Sequence, residues 1–349
     1  MKILVLCGGS SPERNISIKC GSRVCRALRE NGHNAVLLDV MSGVNPDIFE
    51  RSAGEYDLEA DVERFRAMNE DIFKGLQNDT ITEFVGKGLL DAAKKADVVF
   101  PVTHGVNGED GKLQALLELY GIKYTGAGIL SSAISMNKTM SRLTVSSSGV
   151  PVADGITISR EDYEADPSKY TLSELGLGGR VIVKPESGGS SIGTTDASNE
   201  EGFRMSLKEA FTYDEYVVVE RFIEGREFSV GVVGKKSYPV VEISVPAGEF
   251  YDYKNKYGNV AIETVPADIP EEKAIEIRAL AELAAKALRI DSYCRIDFMM
   301  DNQGKVYFLE VNNLPGMTPT SLIGKSAAAV GLSFSELCET VIRLVPERR

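Results

Sequence analysis

Three observations predict an α/β fold that passes into α+β architecture toward the C-terminus. Apolar strands and amphipathic helices alternate from the first residues, glycine-rich loops follow several strands, and an apolar hairpin near residue 300 precedes a last helix. The 349 residues suffice for about two or three cores. Residues 3–6 read as a strand, Gly8-Gly-Ser-Ser11 as a loop, 16–31 as a helix and 35–38 as a second strand. This is the βαβ rhythm of an open parallel sheet. Residues 41–95 are charged and polar, with helical stretches at 57–69 and 81–93, and read as an elaborated connector. Residues 96–102 form another apolar strand that ends at Thr103-His104-Gly105. Ligands of open parallel sheets sit beyond the carboxyl ends of the strands, where both the Gly8 and His104 loops fall.

An N-terminal domain is therefore expected over 1–126, a central one over 127–215 and a C-terminal one over 216–349. The central domain holds a helix at 131–148, a strand at 181–184 and the glycine-rich segment 186–193. A strand at 216–220 opens the C-terminal domain and is followed by strands at 227–233 and 238–244. A polar segment (251–259), a helix (271–288), the hairpin and an amphipathic helix (332–344) complete it. No internal repeat or heptad run interrupts this order.

Composition is that of a soluble globular protein, with 43% hydrophobic and 26% charged residues. A net charge of −12 argues against nucleic acid as a partner, since phosphate backbones call for a basic stripe. No apolar run is long enough for a membrane span, and Met-Lys-Ile-Leu-Val-Leu-Cys-Gly-Gly reads as a buried strand, not a secretory signal. Five cysteines without CxxC spacing fit reduced thiols in the cytoplasm, and two histidines make a multi-histidine zinc site unsuitable.

The hairpin Arg295-Ile-Asp-Phe-Met-Met-Asp-Asn-Gln-Gly-Lys-Val-Tyr-Phe-Leu-Glu-Val-Asn312 carries the densest chemistry. With an even loop, Arg295 lies opposite Glu310 and Asp297 opposite Phe308. Arg295, Asp297, Glu310 and Asn312 then share one face, and Ile296, Phe298, Leu309 and Val311 the other. An oxygen-rich face of this kind suits a hard cation such as Mg2+; the alternative is a solvated face with an incidental Arg–Glu pair. An odd loop would break the parity.

Other segments are ambiguous singly. Lys184-Pro-Glu-Ser-Gly-Gly-Ser-Ser-Ile-Gly193 can cradle an anion on its backbone or be a plain surface turn, and it is not a Walker A loop. Gly8–Arg14 before a helix can hold a carboxylate or phosphate, or be an ordinary capped loop. Tyr216-Val-Val-Val-Glu220 is more simply a strand stop than a nucleotide contact. Tyr251–Tyr257 reads as a lid or an exposed loop. His104 is more often structural than functional in such a loop, and the turn at Pro315-Gly316 with Ser321 can hold an oxyanion or carboxylate.

In order, however, the segments GGSSPERNIS (8–17), HGVNGEDGKLQ (104–114), YTGAG (124–128), SMNK (135–138), VIVKPESGGSSIG (181–193), ERFIEGREFSV (220–230), YDYKNKY (251–257), CRIDFMMD (294–301) and EVNNLPGMTPTSL (310–322) resemble the D-alanine–D-alanine ligases. That family belongs to the ATP-grasp superfamily. The likeness covers nearly the whole chain outside about 41–95. It implies an ATP-grasp fold behind an N-terminal parallel-sheet domain, and ATP-dependent joining of two D-alanines through an acyl phosphate for peptidoglycan synthesis.

The resemblance also implies roles. Lys138, Lys184 and Lys256 match phosphate-binding cations; Glu220, Arg221, Ile223 and Glu227 match nucleotide-binding positions; Asp297, Glu310 and Asn312 match ligands of two Mg2+ ions, with Mn2+ as a substitute. Glu13, with His104 nearby, matches the site of the first substrate's ammonium group. Glu13, Ser190 and Tyr257 match a hydrogen-bonded set over the site. Arg295 and the Gly316 N–H match oxyanion stabilisers, and Ser321 with the Leu322 N–H matches the second substrate's carboxylate site. A cytoplasmic homodimer is expected from the family, and no side chain suits the general base. The sequence departs from the family at Asn137 (usually aspartate), Arg221 (commonly lysine) and Gly324 (frequently proline), and in a longer 41–95 region and a slightly short lid. A D-Ala–D-lactate specificity is disfavoured by Lys256-Tyr257, D-Ala–D-Ser specificity stays open, and a non-catalytic ATP sensor is disfavoured by retention of the lysines and acids.

Overall fold

The computed structural model describes residues 1–50, 56–78, 80–244 and 261–345, and builds them on three sheets. The first is parallel, in the order β2-β1-β3, from β1 (Lys2–Cys7), β2 (Asn34–Asp39) and β3 (Val98–Pro101). Ile3 to Cys7 are all buried, as expected for a parallel strand covered on both faces. The helix Arg14–Glu30 packs on it through Ile18, Val24, Cys25 and Leu28. Ser17 fastens the junction: its hydroxyl accepts from the Gly8 N–H (2.9 Å) and donates to Val102 O (2.7 Å). Fully buried Arg14 pairs with fully buried Asp39 and donates to Gly9 O (3.0 Å) and Asn69 Oδ1 (2.7 Å). Gly8 is required there: its φ is +79°, and a Cβ would lie 2.1 Å from Asp39 Oδ2.

The second sheet is antiparallel, in the order β4-β7-β5-β6, from β4 (Gly155–Ser159), β5 (Val181–Pro185), β6 (Thr195–Ala197) and β7 (Tyr216–Arg221). The strand expected to open the C-terminal region thus sits inside the central sheet, where Val217 and Val219 join Ile158, Val181, Val183 and Phe203 in one core. The third sheet runs β11-β10-β8-β12-β13, with β9 beside β8. Its strands are β8 (Gly225–Val233), β9 (Lys236–Ser237), β10 (Val241–Ser244), β11 (Ile262–Thr264), β12 (Tyr293–Asp301) and β13 (Val306–Asn312). The helix Glu271–Ala287 covers one face, burying Ile277, Ala281 and Ala284 against Phe228, Val230, Ile296 and Phe298.

Two helix expectations are corrected. The stretch 131–148 is two helices, Ile129–Met136 and Lys138–Ser147, divided at Asn137. Asn137 is extended, and its Oδ1 accepts from the Met140 N–H (2.8 Å), so the amide caps the second helix as an aspartate would. The expected helix at 81–93 shrinks to Leu89–Lys94. Gly88 has φ +85°, and Gly86 lies so close to Ser42 O that a Cβ would be 2.0 Å from it.

The hairpin register also differs from the expectation. Asp301 N–H donates to Lys305 O (2.9 Å), which leaves the three-residue loop 302–304 with Gly304 at φ +82°. The odd loop sets Phe298 opposite Phe308 and would turn Glu310 toward the core. A β-bulge then shifts the register, and Asp297 pairs with Glu310 and Arg295 with Asn312. Leu309 is the extra residue. It lines the cavity beside Glu310 instead of joining the apolar face. The four site residues thus share a face through the bulge, not through the loop.

The three sheets do not have separate cores end to end. Leu337, Cys338, Val341 and Ile342 of the helix Phe334–Arg343 lie in the same core as Ile3–Leu6. Asn31 Nδ2 donates to Ser335 O (2.9 Å), and His33 Nε2 lies 2.8 Å from Glu339 Oε2.

Candidate active site

The second and third sheets meet over a cavity of about 520 Å³. Lys138, Lys184, Glu220, Arg221, Ile223, Glu227 and Glu310 all line it, together with Gly188, Gly189, Tyr307 and Leu309. Seven residues expected at a nucleotide site or its metal are therefore gathered around one space. Ala153, Ile223, Met299 and Tyr307 form a small apolar cluster in its wall, which suits a flat ring.

Lys138 opens its helix, and its Nζ donates to Gly188 O (2.7 Å) in the glycine-rich loop. Its pKa is pushed down to about 8, first by burial and further by Lys184, against the pull of Glu310 and Glu220. Lys184 lies one residue before the end of β5, and its Nζ lies 2.5 Å from Glu220 Oε2. Glu220 lines the cavity and is held by two cations. Its other oxygen lies 2.7 Å from Arg142 Nε, so both carboxylate oxygens face cations. Arg221 reaches Tyr307 Oη (3.4 Å) and Asp154 (3.4 Å). The loop after Lys184 is held in a strained form, with Ser190 and Ser191 at φ +53° and +57°. Ser190 donates to Glu13 Oε1, which ties the loop to the first helix of the N-terminal sheet.

His104 and Glu109 lie beside Glu13. His104 Nδ1 is 3.8 Å from Glu109 Oε2, and the ring is 6% exposed. Burial alone would lower the His104 pKa, but contacts with Cys20 and Glu109 raise it well above the ordinary value. Glu109 is in turn fixed through its backbone, because Asn313 Nδ2 donates to Glu109 O (2.9 Å).

On the hairpin face Asp297 is 2% exposed and densely held. It accepts from Ser229 Oγ (2.6 Å), Arg295 Nε (2.9 Å) and Nη2 (2.7 Å), and Asn312 Nδ2 (3.2 Å). Arg295 thus bonds its own strand neighbour Asp297, and not Glu310. Asp297, Glu310 and Asn312 fit a hard divalent cation. Two carboxylates oppose each other across one rung, and Asn312 commits its amide nitrogen to Asp297 and not its amide oxygen.

Gly316 comes close to Cys20, whose Sγ would lie 3.9 Å from a Cβ there. Ser321 caps the helix Leu322–Ala329: it accepts from the Gly324 N–H (3.3 Å) and donates to Thr318 O (2.8 Å). Leu322 opens that helix, so its N–H has no partner inside it. A proline at Gly324 would lose the bond to Ser321, and even a Cβ would lie 2.2 Å from Thr318 O. Lys256 and Tyr257 lie outside the described residues. Arg142, Glu109 and Ser229 were missed by sequence reasoning. Arg142 stands four residues after Lys138 on one helix face, a spacing that sets it beside the lysine without revealing its burial, and Ser229 meets Asp297 only through the pairing of β8 with β12, which no local pattern announces.

Two antiparallel sheets closing on a lysine-lined cavity, with paired acids on the last hairpin, define the ATP-grasp class. The comparisons narrow this. The family model described as D-ala D-ala ligase N-terminus matches residues 2–127, and that described as D-ala D-ala ligase C-terminus matches 144–343. A D-alanine–D-alanine ligase of Pediococcus pentosaceus is 38% identical, over 98% of this chain and 97% of its own. The ATP-complexed D-alanine–D-alanine ligase of Bacillus anthracis aligns with TM-score 0.72 at 28% identity, covering 99% of this chain and 97% of that one. The VanG D-Ala:D-Ser ligase of Enterococcus faecalis aligns with TM-score 0.77 at 29% identity, covering 98% of both. The chain belongs to the D-alanine–D-alanine ligase family.

Proposed function

We infer that the protein is an ATP-dependent ligase that joins two D-alanines into D-alanyl-D-alanine for peptidoglycan precursors. The observation that carries this is the convergence of Lys138, Lys184 and Glu310 around one cavity, with Asp297 paired to Glu310 across the hairpin, in a chain of this family. A carboxylate is a poor acyl donor. The first D-alanine carboxylate oxygen attacks the γ-phosphorus of ATP, ADP leaves, and an acyl phosphate forms. The amine of the second D-alanine then attacks the acyl carbon, phosphate departs with the bonding pair, and the nitrogen releases its proton to solvent or to the departing phosphate.

Phosphoryl transfer is accelerated mainly by positioning and charge neutralisation. Lys138 and Lys184, with Lys256 of the lid, supply cations to the phosphates. Arg221, Ile223, Glu220 and Glu227 line the nucleotide's position. Asp297, Glu310 and Asn312 would hold Mg2+, which would neutralise phosphate charge when bound. Glu13 faces the first substrate's ammonium group, with His104 beside it and Ser190 bonded to it, and the family likeness assigns Tyr257 to the same set. Arg295 and the Gly316 N–H serve the oxyanion of the tetrahedral intermediate, and Ser321 and the Leu322 N–H hold the second carboxylate. The enzyme works as a cytoplasmic homodimer in this reading; no helix of the described residues is long and apolar enough to cross a membrane.

The likeness to a D-Ala:D-Ser ligase keeps D-serine as a second acceptor, since a pocket rejects an added hydroxyl poorly. Phosphate release with Mg-ATP and D-alanine, repeated with D-serine and D-lactate, tests the assignment. Release with D-alanine alone is the expected result. Release only when D-serine is added moves the specificity, and silence with every acceptor overturns the ligase reading.

A further inference from the structure

Arg142, Lys184 and Glu220 are 8%, 5% and 5% exposed, so the triad is a buried charge cluster. Glu220 meets Lys184 at 2.5 Å and Arg142 at 2.7 Å on its two oxygens. The two cations differ in freedom. Arg142 is anchored through Nη2 to Ala153 O (2.6 Å) and packs against Gly155, where a Cβ would lie 3.0 Å from Nη2. Lys184 ends in a compact ammonium on a flexible stem at the cavity wall. Arg142 Nε, although near Glu220, has no aligned hydrogen bond. A better arrangement between Arg142 and Glu220 is therefore open to the carboxylate once Lys184 departs.

A phosphate-binding lysine must leave its resting counter-ion. Stranding a buried carboxylate is strongly unfavourable, and that cost would be charged against ATP binding. We propose that Arg142 is a positioning residue for ATP: it keeps Glu220 compensated when Lys184 turns from Glu220 to a phosphate. The proposal rests on reading the cavity as the ATP site. Without Arg142, Lys184 is the only described cation in direct ion-pair contact with Glu220, and its release leaves the buried carboxylate with only the more distant charge of Lys138.

A double-mutant cycle tests this on the full chain, with the Kd of ATP and the KM of ATP and of D-alanine as readouts. Arg142→Gln should raise the ATP Kd about tenfold and leave the D-alanine KM within about twofold, with Arg142→Lys recovering most of the loss. In a Glu220→Gln background, where no carboxylate can be stranded, Arg142→Gln should change the ATP Kd less than about twofold. Equal losses in both backgrounds would mean that Arg142 only supports the fold, and would overturn the proposal. So would an unchanged ATP Kd in Arg142→Gln. If Arg142→Gln does not fold, Arg142→Lys carries the same cycle: its smaller loss must vanish in the Glu220→Gln background. Wild-type protein that binds no ATP overturns the ATP-site reading itself, a result distinct from any of these.

Discussion

Lys138 bonds the glycine-rich loop, and burial pushes its pKa down to about 8 against the pull of Glu310 and Glu220. Phosphate binding needs the ammonium form, so ATP should bind well below pH 8, and its KM should rise as the pH passes through that value and the lysine loses its proton. Above pH 8 binding should draw a proton from solution, which calorimetry in buffers of different ionisation enthalpy would detect. An ATP KM flat to pH 9.5 would sink the assignment. Lys184→Ala should lower ATP-dependent phosphate release by at least about a hundredfold, because the proposed role sets its ammonium against the transferring phosphoryl group. Wild-type-like turnover would refute that role. Lys184 and Glu220 were legible in the sequence as a strand-end lysine and a strand-end acid. Their pairing was not, because two chain-distant residues meet only once β5 and β7 lie side by side. Arg142 was invisible for a related reason: an arginine on a polar helix reads as solvated until burial is known.

The junction of β1 with its following helix is a second unit with its own chemistry. Asp39→Asn would leave Arg14 charged, fully buried and without its counter-ion, at about 3–5 kcal/mol. Urea unfolding should show that loss in the midpoint, and a change below about 1 kcal/mol would contradict the account. The motif Gly8–Arg14 was visible as a ligand loop, but its arginine serves the fold. Strand and helix identities were largely readable, since periodicity reports which face is buried. Irregularities were not. Asn137 looked like an interior helix residue and is a cap, and Leu309 looked like a core residue and is the bulge. Counting alternate residues works only along an unbroken ladder, so a single unpaired position shifts every assignment beyond it.

Across the molecule, the matched family halves 2–127 and 144–343 are not two independent cores. The parallel sheet was foreseen in kind, but its closure was not, because no local pattern says that residues near 340 pack on the helix Arg14–Glu30 and join the core of that sheet. Removing the helix Phe334–Arg343 would strip Leu337, Val341 and Ile342 from the first core. At about 1.5–3 kcal/mol for each buried aliphatic side chain, the loss rivals the whole stability of an ordinary domain. A chain truncated after Gly331 should therefore accumulate as insoluble or protease-sensitive protein, and a cooperative thermal transition near the wild-type Tm would refute this. The same closure sets an order of events during synthesis. The first sheet can emerge from the ribosome early, but it stays short of its last layer until nearly the whole polypeptide has been released. A chain stalled before the helix Phe334–Arg343 would leave an apolar face of the helix Arg14–Glu30 exposed, ready for a chaperone.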